Sequence, residues 1–144
     1  MLTGYVKNLT DGRVELLVEG DASKISIALS NVVRNALDFN NPGGHVSILA
    51  GQIPGFVKIS VIDDGIGIPA KDLPHVFERF YQVESHLTRR HGGMGLGLSV
   101  AKVMTELHGG RISAESVEGQ GSNFTILLPV NPEQATPAGR VFIP

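Results

Sequence analysis

The sequence predicts one α/β domain, with helices packed on one face of a mostly antiparallel sheet. Three observations predict it. Short apolar strand-like runs alternate with two stretches of helical periodicity, and no internal repeat interrupts them. Hydrophobic residues make up 42% and charged residues 18% of the 144, a globular balance sufficient for one real core and cramped for two. Glycine occupies 18 positions without a Gly-x-y period, so the glycines serve turns or places where backbone approaches a ligand.

The elements follow in order. Residues 4–20 read as a hairpin: Tyr5-Val6-Lys7-Asn8 and Val14-Glu15-Leu16-Leu17-Val18 are strand-like, and Thr10-Asp11-Gly12 supplies the turn. Asp21 or Ser23 can cap a helix over residues 24–40. Its apolar positions are Ile25, Ile27, Ala28, Leu29, Val32, Val33, Ala36, Leu37 and Phe39, most of which fit one helical face. Asn40-Asn41-Pro42-Gly43-Gly44 stops it. Residues 45–51 and 56–62 are two strands joined by a turn containing Pro54-Gly55, and Asp63-Asp64-Gly65-Ile66-Gly67-Ile68-Pro69 leaves the second as a loop. A short helix over 71–76, an aromatic-rich turn over 77–83 and a polar stretch over 84–93 without periodicity follow. Residues 97–108 read as an amphipathic helix closed by Gly109-Gly110. Residues 111–117 and 123–130 are the last strands, and 131–144, with Pro132, Pro137 and Pro144, is expected to be a flexible tail.

Composition removes several function classes. There is no cysteine, which excludes disulfides, thiolate metal sites and a thiol nucleophile. A net charge of −2, from 12 basic and 14 acidic residues, argues against nucleic acid or an anionic membrane as partner. No apolar run reaches the roughly 18 residues of a membrane span, and no signal peptide opens the chain, so a cytoplasmic location is the default expectation. The histidines at 45, 75, 86, 91 and 108 show no metal-ligand spacing.

Four stretches could carry chemistry. Asn31 and Asn35, four apart on a helix, can aim two amide oxygens at one point. Such oxygens are hard neutral ligands suited to a magnesium ion that also takes phosphate oxygens; a polar helix surface has the same spacing. Asp63, at a strand end beside Gly65 and Gly67, can accept a hydrogen bond from an exocyclic amine such as that of adenine, although an ordinary Asp-Gly turn reads alike. Gly92, Gly93, Gly95 and Gly97 precede a helix, where exposed backbone N–H groups and the helix dipole favour an anion. This is not a P-loop, because Gly-Lys-Ser/Thr is missing. The neighbouring stretch 84–93 would act as a mobile lid over a ligand. In Phe77-Glu78-Arg79-Phe80-Tyr81 the aromatics are expected to pack with the charges outside, and Arg79 could alternatively steady a triphosphate.

These stretches together carry a resemblance. The sequence resembles the ATP-binding catalytic domain of sensor histidine kinases. Asn31-Val32-Val33-Arg34-Asn35-Ala36 is similar to the asparagine box, Asp63-Asp64-Gly65-Ile66-Gly67-Ile68-Pro69 to the first glycine box, Phe77-Glu78-Arg79-Phe80-Tyr81 to the phenylalanine box, and Gly93-Met94-Gly95-Leu96-Gly97-Leu98 to the second glycine box. Glu106 to Ile112 and Gly119 to Phe124 also match, so the resemblance covers residues 14–130. It implies a two-layer α/β sandwich of the Bergerat type with a mixed, mostly antiparallel sheet. It implies ATP and Mg2+ as ligands, with Asn35 on the metal and Asn31 assisting. Asp63 would bind the adenine amine, Gly65, Gly67 and Ile68 would shape the adenine pocket, and Gly93, Gly95, Leu96, Gly97 and Leu98 would offer backbone to the phosphates.

In that family the γ-phosphoryl group passes to a histidine on a separate dimerisation domain, and a response regulator acts downstream. No long helical hairpin precedes the boxes here, so no phosphoacceptor histidine is assigned. The family often carries lysine or arginine where Asp38 stands and arginine where Gln82 stands. The related gyrase, Hsp90 and MutL ATPases carry a general-base glutamate where Asn31 stands, so rapid hydrolysis by water is not expected. A non-catalytic nucleotide-binding module is the alternative. Separately, Gly4 to Glu15 resembles the middle of an acylphosphatase, in which the asparagine matching Asn8 orients the attacking water. The match covers about 17 residues and lacks the phosphate-binding loop, as a recombined or engineered chimera or a chance hairpin would; an acylphosphatase activity is the third reading.

Overall fold

The computed structural model describes residues 3–8, 14–19, 22–83, 95–130 and 140–142. The longest element is helix α1, Ala22–Asp38. Its stripe of Ile25, Ala28, Leu29, Val32 and Ala36 is buried, with Val32 and Ala36 fully so. The spacing of three and four residues is what one helical face requires. The helix ends at Asp38, and the turn beyond it contains Gly43 with a φ of +78°, a conformation glycine takes at no steric cost.

The stripe lies on a four-stranded sheet. Strand β3 (Val46–Ile53) and strand β4 (Phe56–Asp63) form a hairpin with Ile53 opposite Phe56. Strand β5 (Arg111–Val117) and strand β6 (Gly121–Pro129) form a second hairpin, and the order across the sheet is β3-β4-β6-β5. Val57, Ile59 and Val61 alternate along β4, as Phe124, Ile126 and Leu128 do along β6, and all six are buried. That period of two faces one side of the sheet toward the helices. Helix α2, Gly97–Glu106, adds Ala101 to the same core. It closes as its glycines predict: the Gly109 N–H donates to the Glu106 carbonyl at 2.9 Å and the Gly110 N–H to the Thr105 carbonyl at 3.1 Å. These are the two bonds of a Schellman cap.

Strand register assembles one end of the sheet. Asp63, the last residue of β4, stands opposite Ser122, the second residue of β6. The loop leaving β4 and the turn entering β6 therefore meet there.

Strands β1 (Thr3–Asn8) and β2 (Val14–Glu19) form the expected hairpin, from Thr3 opposite Glu19 to Asn8 opposite Val14. Three expectations need correction. Every strand pair among the described residues is antiparallel, because hairpins dominate the connections, so the sheet is not mixed. The segment 71–76 holds only a short 3-10 turn at Leu73–His75. Finally, 131–144 is not wholly without structure: Arg140–Phe142 forms β7, which pairs with β2 and completes a second sheet ordered β1-β2-β7. The free edge of β2 presents unpaired backbone groups that a short extended segment satisfies, and three residues are too few to show a period in the sequence.

Candidate functional site

A cavity of about 330 Å³ opens between α1, the loop after β4 and the start of α2. It lies within the roughly 300–1,000 Å³ range of small-molecule sites. Its lining is polar at Asp63, beside Gly65 and Phe39, and again at Asn31, beside Gly97, and Ile66, Ile68, Val76 and Leu98 add apolar surface.

Asp63, 7% exposed, is the buried carboxylate of the cavity, with Ser122, also buried, beside it. Its Oδ1 accepts the Gly65 N–H at 2.9 Å. Burial pushes the Asp63 carboxyl up from its ordinary value, and the backbone N–H groups of Gly65 and Ser122 offset only part of that rise. A carboxylate with a lone pair left over in a half-apolar cavity is an acceptor waiting for an N–H donor.

The glycines of this loop are required by close approach. A Cβ on Gly65 would stand 2.3 Å from the Phe39 carbonyl oxygen, and one on Gly67, whose φ is +67°, would stand 2.1 Å from the Val117 carbonyl oxygen. The loop is docked on the β5–β6 turn by the Gly119 N–H to the Ile66 carbonyl at 2.8 Å and the Ile68 N–H to Ser116 Oγ at 2.8 Å. Ser116 Oγ in turn donates to the Gly121 carbonyl at 2.7 Å. The adjacent Asp64 faces outward and fastens the start of β3: its Oδ1 accepts the His45 N–H at 2.6 Å. That backbone bond, then the His45 side chain, holds the Asp64 carboxyl below its ordinary value.

The opposite end is made by α1. Asn31, Arg34, Asn35 and Asp38 all line the cavity, with both asparagines half-buried and both charged residues exposed. Asn31 Nδ2 donates to the Ile27 carbonyl at 2.9 Å. Its Oδ1 points the other way, toward the start of α2, where a Cβ on Gly97 would meet it at 3.2 Å. Asn31 thus faces the helix N-terminus, and Asn35, one turn further along α1, lines the same cavity. Two neutral oxygen donors beside space for waters suit a Mg2+ ion that completes its shell with phosphate oxygens.

Gly95, Leu96, Gly97 and Leu98 line the same end. Gly95 has a φ of +68°, and a Cβ there would stand 2.9 Å from the Tyr81 carbonyl oxygen. Its own carbonyl accepts the Phe80 N–H at 2.9 Å, which joins the aromatic turn to α2. Phe77 packs edge-on against Phe124, with ring centroids 6.1 Å apart. Phe80 does the opposite of what its pattern predicts. Its φ of +63° turns it outward, and it is 68% exposed. Tyr81 lines the cavity while its hydroxyl donates to the buried Asp72.

The structure therefore brings Asn31, Asn35, Asp63, Gly67, Ile68, Gly95, Leu96, Gly97 and Leu98 to one cavity, with Gly65 supporting Asp63 from behind. It does not bring Arg79, which lies outside the lining because only Phe77 of its turn is drawn into the core. Gly93 and the expected lid at 84–93 lie outside the described residues. Sequence reasoning does not single out Arg34, Ser116 or Ser122. The two serines arrive by strand register, which leaves no local signal, whereas Arg34 sits inside a recognised motif.

A sequence model of the histidine kinase-, DNA gyrase B- and HSP90-like ATPase family matches residues 20–132. The chain belongs to this family. Within the family it is 47% identical over 132 residues to the sensor histidine kinase WalK of Bacillus subtilis, an alignment covering 90% of this chain and 21% of that protein. It is 40% identical over 116 residues to the sensor histidine kinase RppB of Synechocystis, covering 81% and 26%. The chain thus spans about a fifth to a quarter of the length of these curated relatives. Among solved structures, the mycobacterial sensor histidine kinase MprB superposes with a TM-score of 0.68 at 32% identity, over 81% of this chain and 76% of that one. Full-length ShkA in complex with AMPPNP superposes at 0.66 with 29% identity, over 78% and 22%. The two-layer α/β arrangement is that of histidine kinase catalytic domains.

Proposed function

We propose that this domain binds ATP with Mg2+ and serves as the catalytic part of a two-component sensor kinase, donating the γ-phosphoryl group to a histidine on a separate dimerisation domain. The observation that carries the reading is the polarity of the cavity. A buried carboxylate stands in one part, and in another Asn31 faces a glycine-rich helix start with Asn35 in the same lining. The first is an acceptor for the adenine amine. The second receives phosphates, with Asn35 and Asn31 holding the metal. The metal, when bound, neutralises phosphate charge; the chain's own residues bind and orient the nucleotide.

The relatives support this reading, since both sequence relatives are sensor histidine kinases and the ShkA structure is a complex with AMPPNP. In the parent protein a response regulator would take the phosphoryl group onward, and the domain would work on the cytoplasmic side, where ATP is abundant. No helix among the described residues is long and apolar enough to cross a membrane. Asn31, at the place of a general base in the hydrolytic relatives, leaves water unactivated, so free ATP should turn over slowly.

Calorimetric titration with ATP and Mg2+ tests the binding, and incubation of labelled ATP with a dimerisation domain from the parent kinase tests the transfer. Saturable binding with label on the dimerisation domain is expected. Absence of binding sinks the proposal. Binding without transfer favours a non-catalytic nucleotide module, a second reading that the carboxylate of Asp38 in the cavity supports.

A further inference from the structure

Resting on that reading of the cavity, we infer that Arg34 is the side chain that grips the phosphate chain of the nucleotide, and that Asp38, one turn further along α1, opposes it. Arg34 is the cationic side chain in the cavity lining among the described residues, since Arg79 lies outside it. It lines the same cavity as Asn31, Asn35 and the residues that open α2. Among the described residues no carboxylate is paired with it. Asp38 stands at the i+4 position, where a helix could form such a pair, and the two do not make one. With no carboxylate partner among the described residues, the guanidinium keeps its fork of N–H donors for a phosphate, the geometry to which arginine is matched.

Charge balance points the same way. Among the described residues the cavity lining carries Asp38 and Asp63 against Arg34, and Gln82 is neutral. A polyanionic ligand entering it meets two carboxylates, one of them on the helix that presents the amides. Both Arg34 and Asp38 are exposed, so neither holds the fold together and both can be exchanged without disturbing the core. Arg34 offsets on this helix the negative charge that Asp38 adds.

The test is calorimetric titration of the full chain with AMP, ADP and ATP in the presence of Mg2+. The wild type is expected to bind ATP and ADP more tightly than AMP. Arg34→Ala should weaken ATP about ten- to hundredfold, as loss of a charged hydrogen bond does. It should leave AMP within about twofold, and Arg34→Lys should recover part of the loss. Asp38→Lys should tighten ATP and leave AMP alone. An Arg34→Ala protein that binds ATP like wild type, or loses AMP as severely as ATP, overturns the inference while leaving the nucleotide site standing. A wild type that binds none of the three overturns the functional reading, and this inference with it.

Discussion

The two ends of the cavity are built differently. The end around Asp63 is buried and already hydrogen-bonded: Gly65 and Ser122 hold the carboxylate, and Ser116 and Gly119 hold the loop. The end around α1 is made of half-buried amides and exposed charges on one helix face, with glycine backbone opposite. On the proposed reading, the first would be complete before nucleotide arrives and the second only with a cation and phosphates. Selectivity for the base would then be stored in the fold, and affinity for the phosphate chain left to exposed side chains that can change without disturbing the core.

The largest effect that would break this contrast is at Gly67. An alanine there must take a left-handed conformation and meet the Val117 carbonyl oxygen. We expect a stability loss of more than about 2 kcal/mol, read as a lower denaturant midpoint, together with loss of nucleotide binding. A Gly67→Ala protein of wild-type stability would show that the loop is not pinned as described. Asp63→Asn comes next and should separate the two properties. Nucleotide binding should fall about ten- to hundredfold, because an amide offers the adenine amine no second carboxylate oxygen. Stability near neutral pH should hold or rise, since ionising a carboxyl whose folded value is raised costs stability as pH climbs above the ordinary carboxylate range. A thermal melt several degrees below wild type would contradict that sign.

Asn35→Ala should act at the other end alone. It should weaken ATP in the presence of Mg2+ by about tenfold and leave both AMP binding and the melting temperature unchanged. Equal loss for AMP would place Asn35 against the base. The smallest effects concern pH. Binding through an ionised Asp63 is present near neutrality and should fade on acidification at a pH above the ordinary value near 4, followed by calorimetry across pH. Asp64 has the reverse sign. Held below its ordinary value by His45, it contributes stability present above that value and lost as pH falls through its folded value. His45→Ala should therefore reduce acid resistance only slightly, because the Asp64–His45 backbone bond remains and the side-chain pair is exposed.

Much of the fold and site is legible in the chain. The stripe at 25, 28, 29, 32 and 36 marks a helix with its buried face, and the same helix then places Asn31 and Asn35 by spacing alone. Asp63 is legible because strand and loop meet there. Ser116 and Ser122 are not, because their contribution comes from β4 pairing with β6 far along the chain, which no local window contains. Phe80 misleads for a related reason: an aromatic pattern predicts burial, but a backbone turned to positive φ decides direction.

That turned residue also governs the chain beyond it. The bond from the Phe80 N–H to the Gly95 carbonyl brings the two ends of the intervening stretch together in the fold itself. For chain statistics, these two anchors close a loop, and doubling the length of a loop costs only about 0.6 kcal/mol. Changes of length beyond Val83 therefore cost little closure entropy, while Tyr81, Gln82 and Val83, which line the cavity, stay tied to its shape.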